Sequence, residues 1–507
     1  MKTTAPSQAI LNDLGKQLST TKEINDIAAA LAKNGYQAFL VGGCLRDLLL
    51  KKSPTDWDIA TNATPEKIQK IFPDSVYENK FGTVAVKTES ADPALKIIEV
   101  TAFRLEGKYT DKRHPDEIKF AKTIEEDLSR RDFTINAIAL EINSTKNKNS
   151  EIKLVDPFNG LQDLKNKLIQ CVGEPEQRLE EDALRLMRAV RFGAQLNFLI
   201  DKKTAQAIKG KSHLLEFIAK ERINGELQKL LLSDKADEGI LQLYELNLLK
   251  HIWPELEEGI GVGQNKHHIY TIFEHNLKAL QYATQKRYSL AVRVAALLHD
   301  IGKSRTKQGD GPNSTFYGHQ VVGEKMALRM MDRLHFPKEP TEKVALLIRE
   351  HMFVYDPETV TLAGVRRLLK RVGLDNIDDL LKLREADRIG SGVPKAQPYR
   401  LRYLQAMIEK VKTDPIGAKM LKVNGEDVMK IAAIEPSPKV GKILAILLEE
   451  VLEDPDKNEK RVLVERIKEI GGLNDSELEK LAQKAKQTAG ETQKRIDEEI
   501  KKKYFVK

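Results

Sequence analysis

LVGGCLRDLLL at residues 40–50 and TDWDIAT at residues 55–61 decide the architecture of this chain. The apolar run ending at Val41 reads as a buried strand, Gly42 and Gly43 as a tight turn, and CLRDLLL as the opening of a helix. Glycine at a strand-to-helix turn lets the backbone approach a phosphate closely, and the helix start offers free N–H groups. Arg46 and Asp47 fall in the beginning of that helix. DWDIAT reads as a second strand. Residues i and i+2 of a strand share a face, so Asp56 and Asp58 are expected side by side, with Trp57 turned to the opposite, buried face. Two carboxylates held together are costly unless a cation compensates them, and oxygen ligands of this kind suit Mg²⁺. A two-metal phosphoryl transfer needs such a platform. An Asp-x-Asp alone is most often a solvated turn. Beside Gly-Gly-x-x-Arg-Asp that reading loses ground.

Working outward, NATPEKIQKIF at 62–72 carries Thr64 as a helix N-cap with Pro65 at the first helical position. FGTVAVKT at 81–88 and LKIIEVTAF at 95–103 alternate as strands do. Residues 1–35 read as an entry helix, with Ile24, Ile27 and Leu31 at helical spacing. Beyond residue 160 long amphipathic helices take over, among them EDALRLMRAVRFGAQL and ERINGELQKLLL. The predicted class is α+β. A mixed-sheet head (1–150) is followed by an all-α neck (151–260), a helical domain (261–395, bounded by SGVPKAQP) and a helical tail (396–507).

The bulk properties fit this plan. A chain of 507 residues exceeds one ordinary core, and a 41% hydrophobic fraction is enough to build several. The net charge of +8 is compatible with an acidic partner such as nucleic acid, and equally with solubility alone. Two cysteines, Cys44 and Cys171, make neither a zinc pattern nor a disulfide framework, which points to a reducing, cytoplasmic compartment. No apolar run approaches the ~20 residues of a membrane span, and the first residues lack the apolar core of a secretion signal.

LVGGCLRDLLL with DWDIATNATPEKI resembles the head of the class II tRNA nucleotidyltransferase and bacterial poly(A) polymerase family. The resemblance continues in order through TAFRLEGKYTDKRHPDEIKF (101–120), similar to that family's flexible loop region. EEDLSRRDFTINAIA (125–139), EPEQRLEEDALRLMRAVRF (174–192) and ERINGEL (221–227) follow. It implies a polymerase-beta-like head with Asp56 and Asp58 as catalytic metal ligands, and Gly42, Gly43 and Arg46 on the triphosphate. Trp57 stands where the family usually has Phe. Arg130 and Arg131 suit phosphates. Asp132 and Asn136, four apart, share a face if helical, and the resemblance places them on the ribose. Glu99 is a weaker candidate for a third carboxylate, since a Glu on an edge strand is usually just exposed.

Asp182 and Arg185, three apart, are expected on one helical face. Cytosine and adenine both present an exocyclic amine beside an acceptor nitrogen. Guanine and uracil reverse that polarity. An Asp accepting from the amine and an Arg donating to the ring nitrogen would take C and A and leave G and U unpaired. The resemblance assigns these positions the same role. Arg188 and Arg191 follow on the same helix as nucleotide-binding candidates, with packing as their other reading.

A second ordered set comprises His275, His299–Asp300, His319, His351 and Asp387. It resembles the HD phosphohydrolase superfamily. His275, His299, Asp300 and Asp387 would form the core site, with His319 and His351 completing a second one. Imidazole with carboxylate suits Mg²⁺, Mn²⁺, Ni²⁺, Zn²⁺ or Fe. The segment 423–455 resembles the C-terminal region of HD-containing tRNA enzymes, with a helix expected near Lys439.

Together these features lead to an expectation of template-independent CCA addition to tRNA from CTP and ATP, with possible phosphoester hydrolysis at the HD site. A poly(A) polymerase, a CC- or A-adding enzyme, and an RNA-binding HD hydrolase are the alternatives. The loop around Lys108–Arg113 is the expected moving part between the C and A steps. Oligomeric state is not legible here.

Overall fold

The computed structural model describes residues 8–19, 21–77, 82–106, 118–142, 153–265, 269–392, 395–412, 420–474, 476–478 and 480–481. The Lys108–Arg113 loop and the last residues of the tail lie outside these. The chain forms two compact units, Met1–Glu258 with Met330–Phe336, and Gly259–Arg329 with Pro337–Lys507.

The first unit is built on a mixed sheet. Its strands are β1 (Ala38–Val41), β2 (Asp58–Thr61), β3 (Ser75–Tyr77), β4 (Thr83–Lys87), β5 (Ile97–Ala102), β8 (Ala139–Glu141) and β9 (Leu154–Val155). A small hairpin, β6 (Arg104–Glu106) with β7 (Ile118–Phe120), follows β5. The sheet order is β3-β4-β5-β2-β1-β8-β9, with β2 and β5 parallel and the other neighbours antiparallel. The interior strand β1 is buried along its whole length, which is why AFLV is uniformly apolar rather than alternating. Phe39, Val41, Ala60, Phe103, Leu128, Ala137 and Val172 share one core behind the sheet.

β5 is an interior strand, not the edge strand expected for Glu99. Ile98 and Val100 point into the core while Glu99 stays exposed on the other face, opposite Asp58 in the parallel register. The entry segment is two helices, Gln8–Ser19 and Lys22–Lys33, rather than one. Helix Pro65–Ile71 starts where Thr64–Pro65 predicts, although the Thr64 side chain makes no capping hydrogen bond.

The neck helices differ from expectation in one instructive way. EPEQRLEEDALRLMRAVRF is not continuous: one helix spans Pro175–Glu181, and the next spans Leu184–Leu196. Asp182 sits between them in extended conformation, its carboxylate accepting from the Leu184 N–H at 3.1 Å. Aspartate competes for backbone N–H groups in this way, and here it ends one helix and starts another.

The second unit is helical among its described residues. Helices Ile272–Gln285, Leu290–Leu298, His319–Arg333, Lys338–Glu350 and Leu374–Gly390 form its first part. Leu362–Val372 connects these to Tyr399–Val411, Gly425–Ala432, Pro438–Glu453 and Lys460–Gly471. Arg367 and Lys370 reach Glu449 at 3.3 and 2.9 Å, tying the connecting helix to the tail. No helix among the described residues is long and apolar enough to cross a membrane.

One contact links packing to the cleft described below. Helix Gly160–Asn166 lies on the short 3₁₀ turn Thr134–Asn136, and Asp163 accepts from the Thr134 hydroxyl at 2.5 Å. A Cβ on Gly160 would lie 2.2 Å from the Thr134 carbonyl oxygen, so the two backbones meet only through glycine. Gly160→Ala is expected to cost about 1–3 kcal/mol by overpacking, read as an earlier thermal unfolding transition.

Candidate active site and metal centre

A cleft of about 810 Å³ opens in the first unit. Gly42, Gly43, Arg46, Asp56, Asp58, Arg131, Asp132, Asn136, Asp182, Arg185, Arg188 and Arg191 all line it, so every predicted head-site residue reaches one cavity. Glu99, Arg104, Arg130, Phe192, Arg222 and Lys229 line it as well.

Gly42 carries the turn at a φ of +73°. A Cβ there would meet the Arg131 guanidinium at 3.0 Å and the Asp58 carboxylate at 3.1 Å. The glycine is thus required twice, by conformation and by the room those side chains take. Asp58 opens β2, whereas Asp56 lies in the bend before it. The pair is therefore not two rungs of one strand; Asp58 is half-buried and Asp56 exposed at the mouth. Trp57 turns into the core as expected. Burial raises the Asp58 carboxyl to about 6; Arg131 opposes this and Asp56 adds to it. Asp56, Asp58 and Glu99 face one cavity, a donor set that fits a hard divalent cation.

Beside the carboxylates lies a lattice of guanidiniums, held by acids, an amide and backbone carbonyls. Asp127, 1% exposed, sits on helix Ile124–Ser129, which opens with a Thr123/Glu126 capping box. It accepts from Arg130 at 2.8 and 3.0 Å and from Arg131 at 3.3 Å. Arg46 donates to Asn136 at 2.9 Å, and Asn136 donates to Asp132 at 3.1 Å. Asp132 and Asn136 do meet, through the 3₁₀ turn rather than the α-helix expected of them. Arg188 pairs with Asp132 at 2.6 Å. Burial alone would raise Asp132, but Arg188 and the Asn136 hydrogen bond hold it well below the usual carboxylate range. Arg191 pairs with Glu226 at 2.8 Å. The guanidiniums of Arg46, Arg188 and Arg191 stand 5.1, 5.2 and 3.6 Å from the centre of the Phe192 ring, within cation–π range.

Asp182 and Arg185 do not project from one helical face, because the helix breaks at Asp182. Both still line the cleft. Arg185 contacts Glu181 at 2.6 Å and the carbonyls of Arg178 and Arg130 at 2.8 and 3.1 Å. Asp182 pairs with Arg222 at 2.9 Å.

Sequence reading missed Arg222, Glu226, Asp127 and Phe192 as parts of this site. ERINGEL held the first two, but no spacing rule tells which acid or base a residue 30 or more positions away will meet.

The second constellation assembles in the second unit. His275, His299, Asp300 and Asp387 bring their ligand atoms within 4.8 Å of one another, as do Asp300, His319 and His351, and all of these residues are buried. The rings are aimed by local backbone. Nδ1 of His299, His319 and His351 lies 2.9, 2.8 and 2.7 Å from the carbonyl three residues earlier, at Ala296, Phe316 and Ile348. That contact places the proton on Nδ1 and turns an Nε2 lone pair inward. Nε2 of His275 and His299 then face each other at 2.9 Å, and those of His319 and His351 at 3.3 Å.

Asp300 joins the two groups. Its Oδ2 lies 3.1 Å from His275 and 3.4 Å from His299, and its Oδ1 3.3 Å from His319 and 3.6 Å from His351. Asp387 Oδ1 faces His275 and His299 at 3.4 and 3.5 Å, while its Oδ2 accepts from Arg384 at 2.5 Å. Burial would lower His299, yet the Asp300 and Asp387 carboxylates push it up to about 10. The pocket demands positive charge at Nε2, and converging nitrogen and oxygen lone pairs fit divalent transition metals.

Cleft and fold together define a nucleotidyltransferase head on a helical body. Residues 38–170 match the family described as "Poly A polymerase head domain", and 197–260 "Probable RNA and SrmB- binding site of polymerase A". Residues 272–390 match "HD domain", and 370–467 a tRNA nucleotidyltransferase domain 2. The CCA-adding enzyme of Ligilactobacillus salivarius is 44% identical over 231 residues, which are 45% of this chain and 54% of that protein. The chain thus spans about half the length of that relative. The A-adding tRNA nucleotidyltransferase of Deinococcus radiodurans is 35% identical over 347 residues, 66% of this chain and 76% of that one. The crystal structure of the Bacillus stearothermophilus CCA-adding enzyme in complex with CTP superposes with a TM-score of 0.66 at 27% identity, covering 88% of this chain and 96% of that one. The chain belongs to the family of tRNA nucleotidyltransferases and poly(A) polymerases, and it carries an HD domain.

Asp300→Asn is expected to lower the bound divalent metal of purified protein at both HD positions, and His319→Ala at one only. Elemental analysis after dialysis against Mn²⁺ or Ni²⁺ checks the difference.

Proposed function

We propose that this chain adds CCA to the 3′ end of tRNA, using CTP and ATP. The observation that carries the reading is the single cleft. Asp56 and Asp58, the arginine lattice, the Asp132–Asn136 pair and Asp182 with Arg185 all line it. Bound Mg²⁺ would supply the activation of the attacking hydroxyl and the charge neutralisation of a triphosphate. The chain's own residues do the rest. Asp56 and Asp58 hold the cation, with Glu99 beside Asp58 as a third ligand candidate.

Gly42, Gly43, Arg46 and Arg131 form the wall on which phosphates lie, preorganised because acids and amides already fix the guanidiniums. Asp132 and Asn136 orient the ribose, and Arg188 and Arg191 keep the wall positive. Asp182 accepts from the amine that C and A share. Arg185 donates to the ring nitrogen by exchanging one of its carbonyl or Glu181 contacts. The helical body recognises the acceptor arm of tRNA by shape, through phosphate and 2′-OH contacts.

The proposed organisation is a head (1–150), neck (151–260), HD domain (261–395) and tail (396–507). Two buried free thiols fit a cytoplasmic setting. The A-adding relative supports a second reading, in which only the terminal A is added. The two metal-type groups support phosphoester hydrolysis as a separate activity of the HD domain, with Mg²⁺, Mn²⁺, Ni²⁺ or Fe held by His275, His299, Asp300 and Asp387 and by His319 and His351.

The test is incorporation on a tRNA transcript lacking its 3′ CCA, with Mg²⁺ and each nucleotide alone, then CTP with ATP. Growth by three nucleotides and then a halt is the expected result. A single A added only to transcripts ending in CC gives the A-adding reading, and long ATP-only tails overturn both. Asp58→Ala is expected to cut incorporation about 10²–10³-fold and to leave phosphoester hydrolysis unchanged.

A further inference from the structure

Arg222, on helix Lys220–Leu231, holds Asp182, and both line the cleft. Its Nη2 donates to Asp182 Oδ2 at 2.9 Å and its Nη1 to Oδ1 at 3.3 Å, a two-pronged pair. The Leu184 N–H donates to the same Oδ1 at 3.1 Å. A carboxylate has about four acceptor positions. Three are filled by the protein, two on Oδ1 and one on Oδ2. One position remains, on Oδ2. Neither group is fully buried, Arg222 being 27% and Asp182 18% exposed, so this pair stands at the cleft surface where a base can reach it.

We infer that Arg222 is a specificity-determining positioning residue: it locks the Asp182 carboxylate so that a single lone pair faces the base and accepts one exocyclic amine. This rests on the reading of Asp182 as a base-selecting group and extends it. A carboxylate free to rotate about its last bond presents either oxygen, recruits water, and tolerates a carbonyl by turning away. A carboxylate pinned at both oxygens has no such escape. The carbonyl of uracil or guanine then meets a fixed lone pair with no donor between them, which disfavours the wrong base. The break between the two neck helices serves the same end. Had the helix run on through Asp182, its carboxylate would not cap Leu184, and one of the three anchoring bonds would be missing.

The experiment measures kcat/KM for CTP, ATP, UTP and GTP on tRNA transcripts ending before and after CC, for full-length wild type, Arg222→Gln, Arg222→Lys, Asp182→Asn and the double variant Arg222→Gln/Asp182→Asn. Arg222→Gln is expected to reduce CTP-over-UTP and ATP-over-GTP discrimination about tenfold or more, beyond any uniform loss of rate. Arg222→Lys keeps the charge without the fork and should recover rate more than discrimination. Because Arg222 acts through Asp182, adding Arg222→Gln to Asp182→Asn should change discrimination no further.

Equal losses for all four nucleotides in Arg222→Gln, with discrimination intact, would overturn the inference and leave Arg222 a packing residue. Unchanged discrimination in Asp182→Asn would instead sink the base-selecting role of Asp182 itself, so the two failures are separable. Should Arg222→Gln fold poorly by thermal melting, the Arg222→Lys split between rate and discrimination decides on its own.

Discussion

Positive charge cannot be packed into a protein wall without an acid to hold it, and most of the first unit's cleft follows from that constraint. A buried guanidinium without a partner costs several kcal/mol. Asp127 answers for Arg130 and Arg131, Asp132 for Arg188, Glu226 for Arg191 and Asp182 for Arg222. Each acid is placed by the backbone: Asp127 by a capped helix, Asp132 by the approach to a 3₁₀ turn, Asp182 by a helix break. The guanidiniums inherit that rigidity. A wall so fixed does not reorganise as charge develops on a ligand, the condition under which electrostatic stabilisation is largest. Phe192 adds a neutral face on which the guanidiniums of Arg46, Arg188 and Arg191 converge without competing for acceptors.

The HD constellation solves the reverse problem. There the buried excess is of lone pairs. Three imidazoles spend their Nδ1 protons on the carbonyl three residues earlier, and turn bare nitrogens toward Asp300 and Asp387. Lys303 and Arg384 supply cations from outside, at 2.6 Å from Asp300 and 2.5 Å from Asp387. They touch the carboxylates and leave the imidazole pairs facing one another. The lone pairs that meet between those cations form a set that fits a divalent metal.

How much of this was legible in the sequence depended on distance along the chain. Gly42 and the HD array are readable because their geometry is local or their order is specific, and Asp56 with Asp58 share the cleft although only Asp58 lies on the strand. The misreadings were of two kinds. Asp182 was placed on a continuous helix because the 3.6 period runs smoothly from 179 to 192, and the period does not register that an Asp prefers to cap its own neighbours. Glu99 was taken for an edge residue because strand order is a tertiary fact: only the pairing of β5 between β4 and β2 sets it beside Asp58. The partners Arg222 and Glu226 escape for the same reason, whereas Asp127 stands three and four residues from Arg130 and Arg131, a spacing the sequence does show. Charge pairing across 35 or 40 residues leaves no spacing in the sequence to find.

The two sites therefore share a ligand chemistry from opposite sides. In the head cleft the cations outnumber the carboxylates, an excess that suits phosphate oxygens. In the HD pocket nitrogen and oxygen acceptors converge, a set that fits a divalent metal. The first arrangement favours grasping a triphosphate whose own charge is spread over many oxygens. The second is the one the proposed phosphoester hydrolysis would use. Their opposite demands also make them separable, since the groups that build each site belong to one unit alone.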